Sequence, residues 1–314
     1  MKAVRFHEYG DPAVLRYEDV DQPVPAAGQV RVRVAATSFN SVDGNIRGGF
    51  MQGPIPVRLP HTPGLDVAGT VDALGEGVAG FAVGDPVVGF LPMDKPGAAA
   101  EYVLAPAEIL AAAPSSVPLA EAAALPVVAL TAYQALFDHG NLQAGQRVLV
   151  NGAGGAVGGY AVQLAKQAGA YVIATASPRS ADAVKATGVD EVVDHTTTNV
   201  ADAVTDPVDL VLNLAPVAPE QLAALVTLVR PGGVVVNTTV WMPAPSDEDR
   251  GVRGIDLFVR SDAGQLAKLV AQVDRGELRV DVADRVPLAD LAALHARAAD
   301  GAVHGKVIVL APTA

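Results

Sequence analysis

A glycine-rich turn between two apolar runs constrains the fold of this chain more than any other feature. Apolar residues 148–150 lead into the turn, a helical pattern follows, and a second apolar run lies at 172–176. Gly152, Gly155 and Gly158 suit, in turn, a sharp bend, close approach of a pyrophosphate, and close packing of the helix on the sheet. The helix N-terminus presents N–H groups and a positive dipole end to phosphates. The pattern predicts a strand–helix–strand unit that binds a dinucleotide, with a purely structural turn as the alternative.

The end of the second predicted strand indicates which dinucleotide binds. NAD-binding units usually carry Asp or Glu about 20 residues after the glycines, where it holds the ribose 2′-hydroxyl. This chain has no acid there, because Thr175 and Ala176 are followed by Ser177, Pro178 and Arg179. Ser177 can donate a hydrogen bond to a 2′-phosphate, and Arg179 can add charge and a fork of donors. The pattern favours NADP(H) over NAD(H); the alternative is a solvated loop arginine.

Composition excludes several classes of protein. The 314 residues carry a net charge of −12, which argues against a general surface for nucleic acid or anionic membranes. No N-terminal signal pattern and no uninterrupted apolar run of about 18 residues is present, so no membrane span is expected. Cysteine is absent, which excludes disulfides, thiolate metal sites and a cysteine nucleophile. We expect a cytoplasmic protein without membrane or nucleic-acid partners.

The pattern along the chain predicts two domains of an α/β protein. Residues 1–114 contain short apolar runs separated by glycine and proline, which is typical of a partly open β-barrel. Valine and arginine alternate at 30–34, so one face of that strand is expected to be buried. From residue 146 onward, predicted strands and helices alternate, which indicates a doubly wound parallel sheet. A last strand is expected at 306–310.

Six segments carry a resemblance to a known family: NSVDGNIRGG, TPGLDVAGTV, AALPVVALTAYQAL, NGAGGAVGGYAVQLAKQAGA, VRPGGVVVNT and HGKVIVL. Together they resemble the medium-chain dehydrogenase/reductase superfamily and, within it, the zinc-free, zeta-crystallin-like quinone oxidoreductase branch. The resemblance covers nearly the full length. It implies a GroES-like β-barrel domain at 1–115 and 284–314, and an inserted Rossmann domain that binds NADP at 116–283.

The resemblance also bears on zinc. Zinc-dependent relatives carry Cys where this chain has Asn40, and a His-Glu pair where it has Leu65 and Asp66. Leu65 cannot bind a metal, and His61 with one Asp does not supply the three ligands of a catalytic zinc site. No metal is therefore expected, and a zinc alcohol dehydrogenase is the disfavoured alternative.

Without a metal, the acceptor must be electron-poor or polarised by hydrogen bonds. The resemblance implies hydride transfer from NADPH to a quinone or an α,β-unsaturated carbonyl, with donors near the developing oxyanion. Asn40, Asp43 and Arg47 are the candidate catalytic residues. The alternative is structural, since an Asn-x-x-Asp run often caps a turn and Asp43 can pair with Arg47 at i, i+4. Asn45 and Met51 stand where many relatives carry tyrosine, so water is the expected proton donor.

The resemblance implies further contacts with the cofactor. Asn40 is expected near the nicotinamide, Thr131 approaches it from a helix, and the backbone N–H groups of Ala156 and Val157 face the pyrophosphate. His195 stands where relatives often place a tyrosine near the adenosine phosphate, with an exposed loop histidine as the alternative. The remaining expected contacts lie at strand ends and in adjoining loops: Leu214, Ala215, Asn237, Thr238, Phe258, Val259 and Lys306.

Several expectations stay open at this point. An enoyl reductase of a biosynthetic pathway and a non-catalytic NADPH-binding protein are alternatives to the quinone reductase. A homodimer is expected because relatives often join their sheets edge to edge, here near the strand at 234–240. The loops at 40–56 and 240–253 are expected to shape the substrate pocket, and Trp241 and Met242 either line it or only pack. Lys306 either reaches the cofactor or only caps the last strand.

Overall fold

The computed structural model describes residues 1–239 and 241–312 of the chain. Val240, which is part of the expected dimer strand and pocket loop, lies outside the described residues. So do Thr313 and Ala314, which are part of the expected barrel domain. Contacts divide the chain into two compact units, one formed by Met1–Val127 with the segment from Ser261 onward, the other by Val128–Arg260. Every helix in the described residues is too short or too polar to cross a membrane.

The first unit is built mainly of antiparallel strands. Its N-terminal segment contains β1 (Lys2–Phe6), β2 (Leu15–Asp19), β3 (Gln29–Ser38), helix α1 (Ser41–Arg47), β4 (Asp66–Leu74), β5 (Pro86–Phe90), β6 (Tyr102–Pro106) and β7 (Leu110–Ala112). Val30, Val32 and Val34 of β3 are buried and Arg33 is exposed, which confirms the predicted alternation. Valine suits this strand because its branched side chain packs well on a pleated surface.

The second unit is a parallel sheet with helices. It begins within helix α2 (Pro126–Tyr133). After α2 come β8 (Arg147–Asn151), α3 (Ala156–Gln167), β9 (Tyr171–Ala176), α4 (Ala181–Lys185), β10 (Glu191–Asp194), α5 (Val200–Ala203), β11 (Val208–Asn213), α6 (Pro219–Leu225), β12 (Val229–Asn237) and β13 (Arg253–Asp256). Within the described residues its six strands lie in the order β10-β9-β8-β11-β12-β13, all parallel. This is the doubly wound order of dinucleotide-binding sheets, which confirms the predicted sheet.

Strand β12 corrects the expected dimer edge. It pairs with β11 on one side and with β13 on the other, so the strand predicted near 234–240 lies inside the sheet. The edge is β13, whose sequence RGID contains a single large apolar residue, Ile255. Such a short, polar strand gives no periodic signal, and its pairing becomes visible only once the sheet is assembled.

The chain then returns to the first unit through helix α7 (Ala263–Asp274), β14 (Asp284–Pro287), helix α8 (Leu291–Ala299) and β15 (Val307–Leu310). Among the described residues the sheet has seven strands, in the order β14-β15-β3-β4-β5-β7 with β6 also paired to β3. Contacts group helix α7 with this unit, and its Asp274 accepts hydrogen bonds from the N–H groups of Ser115 and Ser116. The bounds of the two domains, 1–115 with 284–314 and 116–283, stay a prediction beside these compact units.

Candidate active site

The glycine turn after β8 has the backbone geometry that its sequence predicts. Gly152 has φ +97°, a backbone angle that residues with a side chain rarely adopt. Its N–H donates to Thr175 Oγ1 at 2.8 Å. A Cβ on Gly158 would lie 2.5 Å from Ala153 Cα, so only glycine lets α3 pack this close. A Cβ on Gly155 would meet nothing nearer than 3.5 Å, so space remains beside the backbone there. The predicted roles in turning and packing are confirmed for Gly152 and Gly158.

Helix α3 begins beside this space with an N-terminus that no side chain caps. Gly155 is the N-cap residue, and Ala156 and Val157 take the first helical positions. The first N–H groups of a helix have no partner within the helix, and the helix dipole adds partial positive charge. The backbone here therefore fits an anion such as the predicted pyrophosphate.

The loop after β9 contains the residues expected at a 2′-phosphate. Ser180 Oγ lies 3.2 Å from Ser177 N and 3.4 Å from Ser177 Oγ, so the two hydroxyls lie side by side. Arg179 is exposed, and in the part of the chain that the structure describes its side chain makes no hydrogen bond or ion pair. A Cβ on Gly154 would lie 2.5 Å from Ser180 Oγ, so this loop contacts the glycine turn.

Three other expected cofactor residues follow the carboxyl ends of parallel strands. His195 follows β10, is exposed, and donates its backbone N–H to Ala176 O at 3.3 Å. Leu214 follows β11 and donates its N–H to Asn151 O at 2.8 Å, and Ala215 is the next residue. Ligands of doubly wound sheets bind outside the carboxyl ends of the strands, so the fold places these residues on the edge where a dinucleotide is expected.

A pocket of about 290 Å³ lies at the carboxyl ends of β12 and β13. Trp241 and Phe258 line it with exposures of 62% and 54%, and Val259 adjoins it half-buried. The full lining combines amide, hydroxyl, carboxylate and apolar side chains: Asn237, Thr238, Thr239, Trp241, Met242, Pro243, Asp256, Leu257 and Phe258. The predicted residues Asn237, Thr238 and Phe258 are thus brought together here, whereas Thr131 is buried in α2 and does not line this pocket.

In the first unit, a buried ion pair organises the polar side chains around Asn40. Lys306 Nζ lies 3.2 Å from Asp66 Oδ2 and donates to Asn40 Oδ1 at 2.6 Å. Asn40 Nδ2 donates to Asp66 Oδ2 at 2.9 Å, and Ser38 Oγ donates to the same oxygen. Asp66 and Lys306 are 0% and 3% exposed. The Asn40 amide has one orientation, because its oxygen faces an ammonium group and its nitrogen faces a carboxylate.

Asp43 caps helix α1 rather than pairing with Arg47. Its Oδ2 accepts from Asn40 N at 2.9 Å and its Oδ1 accepts from Gly64 N at 3.1 Å. Burial raises the pKa of this carboxyl to about 6, although both hydrogen bonds favour the charged form. Arg47 instead donates to Gly10 O at 3.0 Å, and among the described residues no ion pair joins it to Asp43. The alternative of an i, i+4 ion pair is therefore wrong.

The residues of this cluster do not fit a zinc ion. In residues 1–239 and 241–312, no group of three or more His, Cys, Asp and Glu side chains is arranged to hold a metal. The Asp66 carboxylate is already paired with the Lys306 ammonium group. His61 packs its ring on Phe6 at 5.3 Å, and burial lowers its pKa to about 4. A catalytic zinc needs three protein ligands, and this set does not supply them.

Sequence reasoning missed the roles of Asp66 and Ser38. Asp66 stands where zinc-dependent relatives carry a ligand, yet an acid at the start of a buried strand is itself a signal. A buried carboxylate needs a charged or hydrogen-bonded partner, so a buried cation is required elsewhere in the chain. That partner is Lys306, 240 positions away, and only the pairing of β15 with β3 brings the two ends together.

Comparison with known proteins gives a consistent picture. The family model of the alcohol dehydrogenase GroES-like domain matches residues 26–115, and the model of the zinc-binding dehydrogenase family matches residues 187–309. The solved structure of the quinone oxidoreductase from Coxiella burnetii has a TM-score of 0.90 and 28% identity, with 99% of each chain covered. These matches confirm the predicted fold, a GroES-like domain joined to a Rossmann-type parallel sheet.

Two further relatives are similar over almost the whole chain. A mycobacterial protein solved in complex with NADPH has a TM-score of 0.85 and 29% identity, with 99% of each chain covered. The chloroplast envelope quinone oxidoreductase homolog of Arabidopsis thaliana is 34% identical over 98% of each chain. Identity of this extent shows common descent, so the chain is an oxidoreductase of the medium-chain dehydrogenase/reductase superfamily and belongs to its quinone oxidoreductase family.

Proposed function

We propose that this oxidoreductase uses NADPH to reduce a quinone or another conjugated carbonyl compound, without a metal. The observation on which the cofactor choice depends is the loop after β9, where Arg179 is exposed and unpaired within the described structure and residues 175–179 contain no acid. A carboxylate at this place would repel a 2′-phosphate, whereas a free guanidinium attracts it. The mycobacterial relative solved with NADPH and the relatives named quinone oxidoreductase support both halves of the proposal.

The second unit offers a binding residue for each part of the cofactor. The turn at Gly152 and the first N–H groups of α3 would bind the pyrophosphate. Ser177, Ser180 and Arg179 would bind the 2′-phosphate. The residues assigned to the adenosine phosphate and the nicotinamide half are His195, Leu214, Ala215, Asn237, Thr238, Phe258, Val259 and, from α2, Thr131. The nicotinamide supplies a hydride from its C4 when it is bound and reduced.

In the first unit, we assign the contact with the reacting molecules to Asn40. One hydrogen of its Nδ2 is donated to Asp66, and within the described residues that nitrogen has no second acceptor. The other hydrogen is therefore available to an oxygen on which negative charge develops. Lys306 has its three hydrogens directed at Asn40 Oδ1, Asp66 Oδ2 and Phe39 O, so we assign it to positioning Asn40 rather than to the cofactor.

Asp43 and Arg47 take supporting roles in this proposal. Both carboxylate oxygens of Asp43 accept backbone N–H groups, which holds α1 and, through it, Asn40. Arg47 fixes the loop at Gly10. Because Asp43 is engaged in holding the backbone and Arg47 in holding the loop, water remains the proposed proton donor.

The test follows nicotinamide absorbance in mixtures of the protein, NADPH and a small quinone, an enone or an enoyl thioester. Turnover with quinones and enones is expected, after subtraction of the reaction without protein. Asn40→Ala should lower kcat by about 100-fold, which is the usual effect of removing one oxyanion donor. Turnover with the enoyl thioester alone would support the enoyl reductase instead. NADPH binding without turnover on any acceptor would support the non-catalytic alternative.

We further propose a homodimer formed through the β13 edge, and a cytoplasmic location. In the described residues β13 pairs with no strand other than β12, and we assign the second copy to its other side, where Gly254 N now donates to Ser246 Oγ at 3.0 Å. Light scattering should give twice the chain mass of 32.0 kDa. A single-chain mass in solution would contradict the homodimer, and cell fractionation tests the location.

A further inference from the structure

The carboxyl edge of the parallel sheet carries a continuous ladder of side-chain hydrogen bonds. Thr175 Oγ1 donates to Asn151 Oδ1 at 2.9 Å, and Asn151 Nδ2 donates to Asn213 Oδ1 at 2.7 Å. Asn213 Nδ2 donates to Asn237 Oδ1 at 2.9 Å, and Asn237 Nδ2 donates to Asp256 Oδ1 at 3.2 Å. These five side chains, which we call the amide ladder, lie on β9, β8, β11, β12 and β13 in their order across the sheet.

The backbone after β11 and β12 fixes the direction of the amide ladder. Asn237 Nδ2 lies 2.8 Å from Met242 O, so reversing this amide would put two oxygens against each other. Asn237 Oδ1 therefore faces Asn213, whose Nδ2 also lies 3.2 Å from Ala215 O. Asn213 Oδ1 then requires a donor, which Asn151 Nδ2 supplies. Every step is a donor meeting an acceptor, and chains of this kind polarise one another in a low-dielectric interior.

The two ends of the amide ladder meet different parts of the proposed cofactor site. At one end, Gly152 N donates to Thr175 Oγ1 at 2.8 Å, which attaches the glycine turn. At the other end, Asn237 and Asp256 line the pocket of about 290 Å³. Asn213 stands in the middle, is 0% exposed, and does not line the pocket.

We infer that the amide ladder holds the glycine turn and the pocket in one fixed relation, and that Asn213 is a positioning residue for the dinucleotide. A dinucleotide that spans both places is bound best when their spacing is set in advance, because less ordering is required on binding. Asn213 thereby acts on cofactor affinity without touching the cofactor. The inference rests on the proposed function, since it presumes that NADPH binds along this edge.

The test compares three variants in NADPH titrations followed by fluorescence. Asn213→Asp keeps the shape but puts a second oxygen against Asn237 Oδ1 and Ala215 O. Thr175→Val is a milder change that removes the hydroxyl between the turn and the first amide, and it decides the question if Asn213→Asp does not fold. Val211→Ala is the matched control, because Val211 is buried in the same strand as Asn213 and lies outside the amide ladder.

Both ladder variants should bind NADPH at least about tenfold more weakly, because the glycine turn and the pocket are then no longer held at one spacing and must be ordered on binding. Their KM for NADPH should rise while kcat at saturating NADPH stays within about threefold of wild type, and Val211→Ala should keep its affinity although it lowers stability. Unchanged affinity in both folded ladder variants, or an equal loss in Val211→Ala, overturns the inference and leaves the proposed function standing. A wild-type protein that does not bind NADPH overturns the proposed function itself.

Discussion

The buried pair of Lys306 and Asp66 stabilises the first unit only while both charges are present. Lys306→Met leaves the Asp66 carboxylate buried without its cation, and loss of one partner of such a pair is destabilising by about 3–5 kcal/mol. We expect a fall of this size in the free energy of unfolding, measured with urea. The control is Lys2→Met, because Lys2 and Asp19 pair at 2.7 Å with side-chain exposures of 39% and 79%. Exposed pairs contribute at most about 1 kcal/mol, so similar losses in both variants would contradict the argument.

Arg179 is the residue on which the choice between NADPH and NADH depends. A charge-assisted hydrogen bond contributes about 1.5–3 kcal/mol, so Arg179→Ala should weaken NADPH binding about 10- to 150-fold. The affinity for NADH should stay the same, because that cofactor has no 2′-phosphate. Isothermal titration with both cofactors measures the two effects, and Arg16→Ala, another exposed arginine, controls for the change in net charge. An equal loss for NADPH and NADH would remove Arg179 from the 2′-phosphate site.

At the scale of secondary-structure elements, helix α3 offers two neighbouring glycines with opposite expectations. A Cβ on Gly158 would lie 2.5 Å from Ala153 Cα and 2.6 Å from Gly152 O, which are backbone atoms, whereas a Cβ on Gly159 would meet nothing within 4 Å. Gly158→Ala should destabilise the protein by about 1–3 kcal/mol through overpacking. Gly159→Ala should stabilise it by about 0.5–1 kcal/mol, because glycine weakens a helix interior. Urea unfolding of both variants measures the difference, and effects of the same sign would contradict this packing.

The same helix shows which elements the sequence could predict. The β8–α3–β9 unit was predicted because its glycines, its helical periodicity and its apolar runs are local signals within one stretch of chain. Strand β13 was missed because RGID is short and polar, and β12 was mistaken for an edge because strand order is set by the whole sheet. The asparagines of the amide ladder lie at the ends of separate strands. Their hydrogen bonds follow from that order and from register, neither of which a single segment encodes.

At the scale of the whole molecule, the two units contribute different kinds of site to one proposed reaction. The second unit contributes a backbone turn, free N–H groups and an exposed guanidinium, which are groups that bind phosphates. The first unit contributes a buried cluster whose hydrogen bonds orient one amide, Asn40. The glycine turn is therefore easier to predict than the cluster around Asn40. Glycine spacing is read directly from the sequence, whereas the Asn40 cluster depends on contacts between distant residues.

The chemistry proposed for the whole molecule also predicts its response to chelation. In the part of the chain that the structure describes, no three His, Cys, Asp or Glu side chains are grouped so that they could hold a metal. The Asp66 carboxylate is paired with the Lys306 ammonium group. Dialysis against a strong chelator should therefore leave NADPH turnover with quinones unchanged, and metal analysis should find far less than one zinc ion per chain. A zinc-dependent alcohol dehydrogenase dialysed in parallel should lose its activity, which shows that the treatment works. Loss of quinone turnover that added zinc restores would contradict the proposal and would require ligands outside the Asn40 cluster.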